Sequence, residues 1–183
     1  MLQQIPPPFE RWSSPDGTVF TLRSIGPQDA KLEQEFVRGL SPESKYFRFL
    51  CELRELSPDM LWHFTHPDPD TECALIITIP SNGEEEEVAV GRYAMFPDGE
   101  SCEFAIAVAD AWQEHGLGTR LMQALMRHAA KKGLRRMEGY ILATNVRMLE
   151  FVHELGFESR PSAKGPTIRL VSRRLEGFAQ STH

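Results

Sequence analysis

Little in this chain is available for covalent or metal-based scaffolding. The three cysteines, Cys51, Cys73 and Cys102, are odd in number and form no C-x-x-C pair, so neither a disulfide framework nor a structural zinc site is readable, and a reducing, cytoplasmic setting is the simplest expectation. Positive charge is also scarce: 20 Lys and Arg against 26 Asp and Glu give a net charge of -6. That balance excludes nonspecific nucleic-acid binding by phosphate neutralisation. No stretch approaches the ~18 apolar residues of a membrane span, and the first residues lack a basic segment followed by an apolar run, so neither a membrane segment nor a secretion signal is expected. Internal repeats are missing too. What remains, 183 residues with 41% hydrophobic and 25% charged content, is the composition of an ordinary globular domain with one sizeable core.

Turn and cap signals divide the chain. The start, MLQQIPPPF, carries consecutive prolines, so residues 1–17 read as an extended arm, 18–174 as one domain and 175–183, ending GFAQSTH, as a frayed tail. A first strand is expected over 18–23. Helices are expected over 28–38, 42–52 and 58–64, each opened by a proline at an early position. Tyr46, Phe47 and Phe49 of the second helix read as core residues by their spacing, with contact to a substrate as the alternative. His63, His66, Asp68 and Asp70 could be drawn as a metal site, but Pro67 and Pro69 break any helix there and a solvated loop is expected, with no metal. Strands over 73–79 and 88–96 flank PSNGEEEE, whose Asn82-Gly83 signals a hairpin. Its four glutamates read as a solvated tip, or as an acidic lure for a cationic substrate. Further on come a strand over 136–142, a helix over 146–155 and a strand over 167–172. This order predicts an α/β class, a mixed sheet with helices on both faces.

The organising stretch is Ser101 to Gly133. In its strand Cys102, Phe104, Ile106 and Val108 alternate with Glu103, Ala105, Ala107 and Ala109, which leaves one face bulky and the other nearly bare. In its helix Leu117, Leu121, Leu125 and Ala129 repeat at i, i+4, and Gly133 stops it. Between them lies Gln113-Glu114-His115-Gly116-Leu117-Gly118-Thr119, a Q-x-x-G-x-G turn. Glycines at a helix mouth let free N–H groups close on a ligand, and such a site suits a pyrophosphate. The residues alone leave open a plainer use of Gly116 and Gly118 as a tight turn.

This segment resembles the acyl-CoA-binding motif of the GNAT superfamily of N-acetyltransferases, R/Q-x-x-G-x-G/A. Thr144 to Phe157, an Asn followed by a helix ending in Leu-Gly-Phe, is similar to that family's second segment, in the right order and spacing. LSPESKYFRFL (Leu40 to Leu50) resembles a helix of the bacterial members that acetylate lysines of other proteins, notably acetyl-CoA synthetases. The resemblance implies the GNAT fold, a mostly antiparallel central sheet of six to seven strands, with acetyl-CoA as acyl donor. It assigns backbone groups of Ile106 and Val108 to the acetyl and pantetheine amides. Amides of Glu114, His115, Gly116, Leu117, Gly118 and Thr119 fall to the pyrophosphate, with Gln113 at the motif's first position and Arg120 as a charge partner. Asn145 falls to the pantetheine arm, or to capping the helix that follows.

The chemistry implied needs a neutral amine, yet a lysine with a pKa of ~10.4 is uncharged about once in a few thousand molecules at pH 7. A general base therefore helps. Glu103, on the bare face of the central strand, is the candidate, with enclosure by apolar neighbours expected to tune it; the plainer reading is a partly exposed residue that solvates the strand start. His115 falls inside the turn, and Cys102, the residue that could form an acyl-enzyme, points to the bulky face. Many GNATs carry a tyrosine seven residues after the asparagine to protonate the leaving thiolate, and Val152 stands there instead. A protein lysine, for example of an acyl-CoA synthetase, is the expected acceptor. A small-molecule amine is the alternative, as is a non-catalytic acyl-CoA-binding regulatory module.

Overall fold

The structure, a computed structural model, describes residues 9–178. In chain order it contains β1 (Glu10–Ser13), β2 (Val19–Ser24), α1 (Ala30–Gly39), α2 (Pro42–Phe49), α3 (Pro58–Thr65), β3 (Glu72–Ser81), β4 (Glu84–Met95), β5 (Ser101–Val108), α4 (Leu117–Lys131), β6 (Arg136–Leu142), α5 (Val146–Glu154), β7 (Glu158–Ser162) and β8 (Gly165–Arg174). The strands form one sheet in the order β1-β2-β3-β4-β5-β6-β8-β7. Every neighbouring pair is antiparallel except β5 and β6.

Local chemistry explains where the helices begin. Ser41 and Ser57 accept hydrogen bonds from Ser44 N and Met60 N, with a proline in the first turn of each helix. α2 stops at Phe49, short of the predicted 52, because Leu50 turns left-handed at φ 57°. The apolar run of β3 is buried on both faces, which is why it lacks alternation. Cys73, Leu75, Ile77 and Ile79 join the larger core with α4, whose Leu121, Met122, Leu125, Met126 and Ala129 are all fully buried. Ala74 and Ile76 meet Phe36, Val37, Leu40 and Leu56 on the opposite face, below α1 and α3. Helices therefore cover both faces, as predicted.

Four expectations change. Residues 1–8 lie outside the described residues, but the rest of the expected arm is not free: Glu10–Ser13 pairs with β2, and Trp12 stacks on Phe20 at 5.3 Å. Likewise the expected tail begins with a buried Leu175 whose N–H donates to Arg135 O; 179–183 lie outside the described residues. The sheet has eight strands rather than six or seven, because β1 and β7 are short edges without apolar alternation, β7 even holding Pro161. Finally the solvated tip holds for three of the four glutamates: Glu84, Glu85 and Glu86 are exposed, and Glu87 is not. All four open β4, where Glu84 meets Lys31 at 3.2 Å, Glu85 meets Arg23 at 2.6 Å and Glu87 is buried.

β5 and β6 pair only over Ser101↔Arg136, Cys102↔Met137 and Glu103↔Glu138. At the next position the Phe104 ring lies over Gly139, where an added Cβ would sit 2.5 Å from the ring edge. We expect Gly139→Ala to cost about 1–3 kcal/mol, the usual penalty for overpacking a core, read as a lower urea midpoint. An unchanged midpoint would show that the ring has room to move.

Candidate active site

Beyond Glu103, β5 continues to Val108 beside β4 while β6 runs to Leu142 beside β8, and a wedge opens between them. Ala109 N–H donates to Val88 O on the β4 side. Antiparallel alternation then turns the N–H and C=O of Val108 and Ile106 away from β4 and into the wedge. The wedge widens into a cleft of about 1050 Å³ whose walls include α2, β5, the first turn of α4 and the start of α5.

The turn at the mouth of this cleft is built for an open helix end. Gly116 caps α4 at φ 76° and offers no side-chain acceptor. By contrast Ser41, Ser57 and Asn145 cap α2, α3 and α5 with their side chains. The first N–H groups of α4 are thus left to whatever occupies the cleft, at the positive end of a fifteen-residue helix. Gly118 has a different reason to be glycine: a Cβ there would lie 3.2 Å from Phe151 Cζ, so α5 packs directly on α4. Both glycines have structural grounds, and the turn still presents its amides.

Side chains then lock the turn in place. Glu114 adopts φ 66°, unusual for a non-glycine. Arg147, from α5, holds it with a 2.5 Å hydrogen bond to Glu114 Oε1 and a second of 2.5 Å to Gln113 Oε1. Gln113 Nε2 donates in turn to Val108 O at 3.3 Å. On the far wall Asp110 accepts from Ser41 N, Ser41 Oγ and Ser44 Oγ at 2.8–3.0 Å, tying α2 to the turn. Burial pushes the Asp110 carboxyl up, but these hydrogen bonds outweigh it and hold it below its ordinary value.

Glu103 stands where the wedge begins. Its side chain is 40% exposed, with Oε2 4.0 Å from Lys164 Nζ. The apolar enclosure expected from the sequence is not formed, because the facing hairpin brings an ammonium rather than a hydrocarbon. Glu103, Phe104, Ala105 and Arg48 line the cleft and also a second opening of about 270 Å³, bounded by His63, Phe64, Glu72 and Arg92. Glu103 therefore sits at the junction of two approaches to β5. Cys102, next to it, is fully buried, and burial pushes its thiol up to about 12, so it offers no thiolate near neutral pH.

The other candidate residues divide. Asn145 caps α5, its Oδ1 accepting from Met148 N at 3.2 Å, and it also lines the cleft. Leu117 lines the cleft although it is almost wholly buried in the core. His115 is turned back on its own loop, Nδ1 2.8 Å from Gln113 O and the ring edge-on to Trp112. Arg120 points away from the cradle: its guanidinium lies 4.3 Å over Trp12 and 3.6 Å from Glu10. The cation beside the turn is Arg147, which lay inside the second motif without an assigned role. Val152 is buried in the core and faces no cleft. The tyrosine on the cleft wall is Tyr140 of β6. A further correction concerns α2, none of whose residues is buried. Phe47 and Phe49 line the cleft and Tyr46 is exposed, so this helix is a wall of the site, joined to the core only through Phe49, which packs against the cluster below α1 and α3 and stacks on Phe64.

A sheet parted between two parallel strands, with an uncapped helix mouth set against free strand amides, is the architecture of an acyl-group transferase. The acetyltransferase (GNAT) family matches residues 40–157, and the chain belongs to that family: it is an acetyl-CoA-dependent acetyltransferase. An acetyltransferase of Pseudomonas aeruginosa is 34% identical over 142 residues, 78% of this chain and 76% of the relative. Among solved structures, the GNAT domain of S. lividans PAT superposes with a TM-score of 0.80 at 24% identity, covering 91% of this chain and 96% of that domain. Spermidine N-acetyltransferase from Vibrio cholerae, solved with CoA and spermine, superposes at 0.67 and 15% identity, over 87% of this chain and 97% of that one. At these identities the structural likenesses establish the shared fold.

Proposed function

We propose that the protein transfers the acetyl group of acetyl-CoA to the ε-amine of a protein lysine, with Glu103 as the general base. The observation that carries this reading is the position of Glu103 at the junction of the large cleft and the second opening. In that geometry donor and acceptor reach β5 from different sides. Exposed apolar side chains on the helices beside these openings, Tyr46 and Leu50 at the end of α2 and Trp62 on α3, are of the kind that protein partners cover. The resemblance of α2 to the lysine-acetylating members names an acyl-CoA synthetase as the first protein acceptor to try. A small amine is the second reading, favoured by the modest volume of the second opening, where Glu72 and Glu103 could receive an ammonium beside Arg48 and Arg92.

In the proposed complex the N–H groups of Leu117, Gly118 and Thr119 and of the turn from Glu114 to Gly116 receive the pyrophosphate. Arg147 supplies the charge that the sequence had given to Arg120. Backbone groups of Ile106 and Val108 pair with the acetyl and pantetheine amides, and the side-chain NH₂ of Asn145, its oxygen occupied by the cap, is free to donate. Glu103 takes a proton from the incoming ammonium. The amine nitrogen bonds to the thioester carbon, the C–S bond breaks, and the electron pair leaves on sulfur. A thiol pKa of ~8.5 lets the thiolate depart without a dedicated acid, which fits a buried Val152 at the family's tyrosine position.

Release of free CoA thiol tests the assignment, with an acetyl-CoA synthetase, lysine peptides, polyamines and amino acids as acceptors. Release with the synthetase or peptides alone supports the lysine reading, and release with polyamines alone replaces it with the second. The Arg147 role has its own test. Arg147→Ala should raise the KM for acetyl-CoA by about fivefold or more, the scale of one charge-assisted contact, with kcat nearly kept. Arg120→Ala should leave the KM alone. The reverse pattern would return the role to Arg120.

A further inference from the structure

We infer that Lys164 is an acetylation site of the protein itself, modified within the same molecule by its own active site. This rests on the proposed role of Glu103. Lys164 lies in the hairpin between β7 and β8, which bends over the wedge, and it is the lysine that lines the cleft. Its Nζ sits 4.0 Å from Glu103 Oε2 and 3.3 Å from the centroid of the Tyr140 ring. This ammonium meets the carboxylate from the large cleft, on a wall shared with Ile106 and Asn145, so it reaches Glu103 beside the donor without passing through the second opening that an external amine would use. The ring attracts the cation and narrows where it goes, while its 53% exposure shows that it is not locked into the core.

Three of the other four lysines are engaged elsewhere, and Lys131 is exposed at the end of α4. Lys31 pairs with Glu84, Lys45 donates to the carbonyls of Arg38 and Arg54, and Lys132 donates to Pro69 O. None of them lines either opening. Proximity within one molecule also substitutes for the association step that an external amine must complete. The step balances without a further reactant. The Lys164 nitrogen sheds two protons, one through Glu103 to water and one taken up by the departing thiolate. One N–C bond forms, one C–S bond breaks, and the products are acetyl-lysine and CoA. Acetylation leaves Glu103 without its neighbouring positive charge.

The experiment incubates the purified full chain with acetyl-CoA and no added amine, then follows intact mass and locates the modified lysine by peptide mapping. In parallel, the same preparation is given the acceptor panel. We expect a gain of one acetyl group at Lys164, at a rate per molecule that does not change with protein concentration. Lys164→Arg should gain none at that position, and Glu103→Gln should slow it about 10²-fold. Acetyl groups spread over Lys31, Lys45, Lys131 or Lys132, a rate that rises with protein concentration, or no modification while an external amine is acetylated would each overturn the inference and leave the proposed function standing. No transfer to Lys164 or to any amine of the panel would overturn both.

Discussion

Replacing Glu103 by Gln is expected to cut transfer by about 10²-fold or more while acetyl-CoA affinity stays within a few fold. Glutamine keeps the size and hydrogen-bonding reach of the side chain but cannot accept a proton from an ammonium. The substituted protein must wait for the small neutral fraction of amine supplied by solution, about one molecule in a few thousand at pH 7 for a lysine. Its rate should therefore climb roughly tenfold per pH unit across the neutral range, where the parent climbs less steeply. The loss should not be one of folding. The Glu103–Lys164 pair is half-exposed and 4.0 Å long, and pairs of this kind contribute little to stability, so the melting temperature should hardly move. Equal turnover by the two proteins, or a loss confined to the KM for acetyl-CoA, would remove Glu103 from proton transfer.

The parts of the site that were legible in the sequence are those whose signal is local. Alternating bulk and bareness gave β5, i, i+4 leucines gave α4, and two glycines between them gave the helix mouth. What escaped was direction and distance. Arg120 is adjacent to the turn in sequence, but helical rotation carries it round to Glu10 and Trp12. Arg147 is a helix and a strand further along the chain and arrives beside Gln113 because Gly118 lets α5 pack against α4. Lys164 was invisible because β7 carries no apolar alternation, so the hairpin that places it over the wedge left no pattern. The role of α2 was half legible for the converse reason: three aromatics at helical spacing look the same whether they line a core, as Phe49 partly does, or a cleft.

A second large effect is expected far from the turn, where four glutamates were read as solvent-facing. Glu87 of β4 and Glu33 of α1 are 4% and 1% exposed, with Arg92 as their shared cation. Arg92 Nη2 lies 3.6 Å from Glu33 Oε1, and its guanidinium rests 4.1 Å over the Phe64 ring. Both Glu87 oxygens lack a hydrogen-bond partner among the described residues. Burial, with the Glu33 carboxyl next to it, pushes Glu87 well above the ordinary range, so it keeps its proton in the folded protein. Arg92→Met should then cost about 3–5 kcal/mol, the penalty for leaving a buried carboxylate without its partner, and lower the melting temperature by roughly 10 °C. Adding Glu33→Gln to that variant should recover much of the loss, because the stranded charge goes with it. The pH dependence follows from the raised value of Glu87. Above ~4.5 the unfolded chain gives up the proton that the fold retains, so this contribution is complete below ~4.5 and is lost as pH rises. Stability of the parent should fall as pH rises above ~4.5, and Glu87→Gln, neutral at every pH, should fall less and be the more stable protein at the alkaline end. A parallel pH dependence of the two would mean that Glu87 ionises in place. The burial of this cluster beneath α1 and α3 would then have to be relieved by water or by movement of those helices.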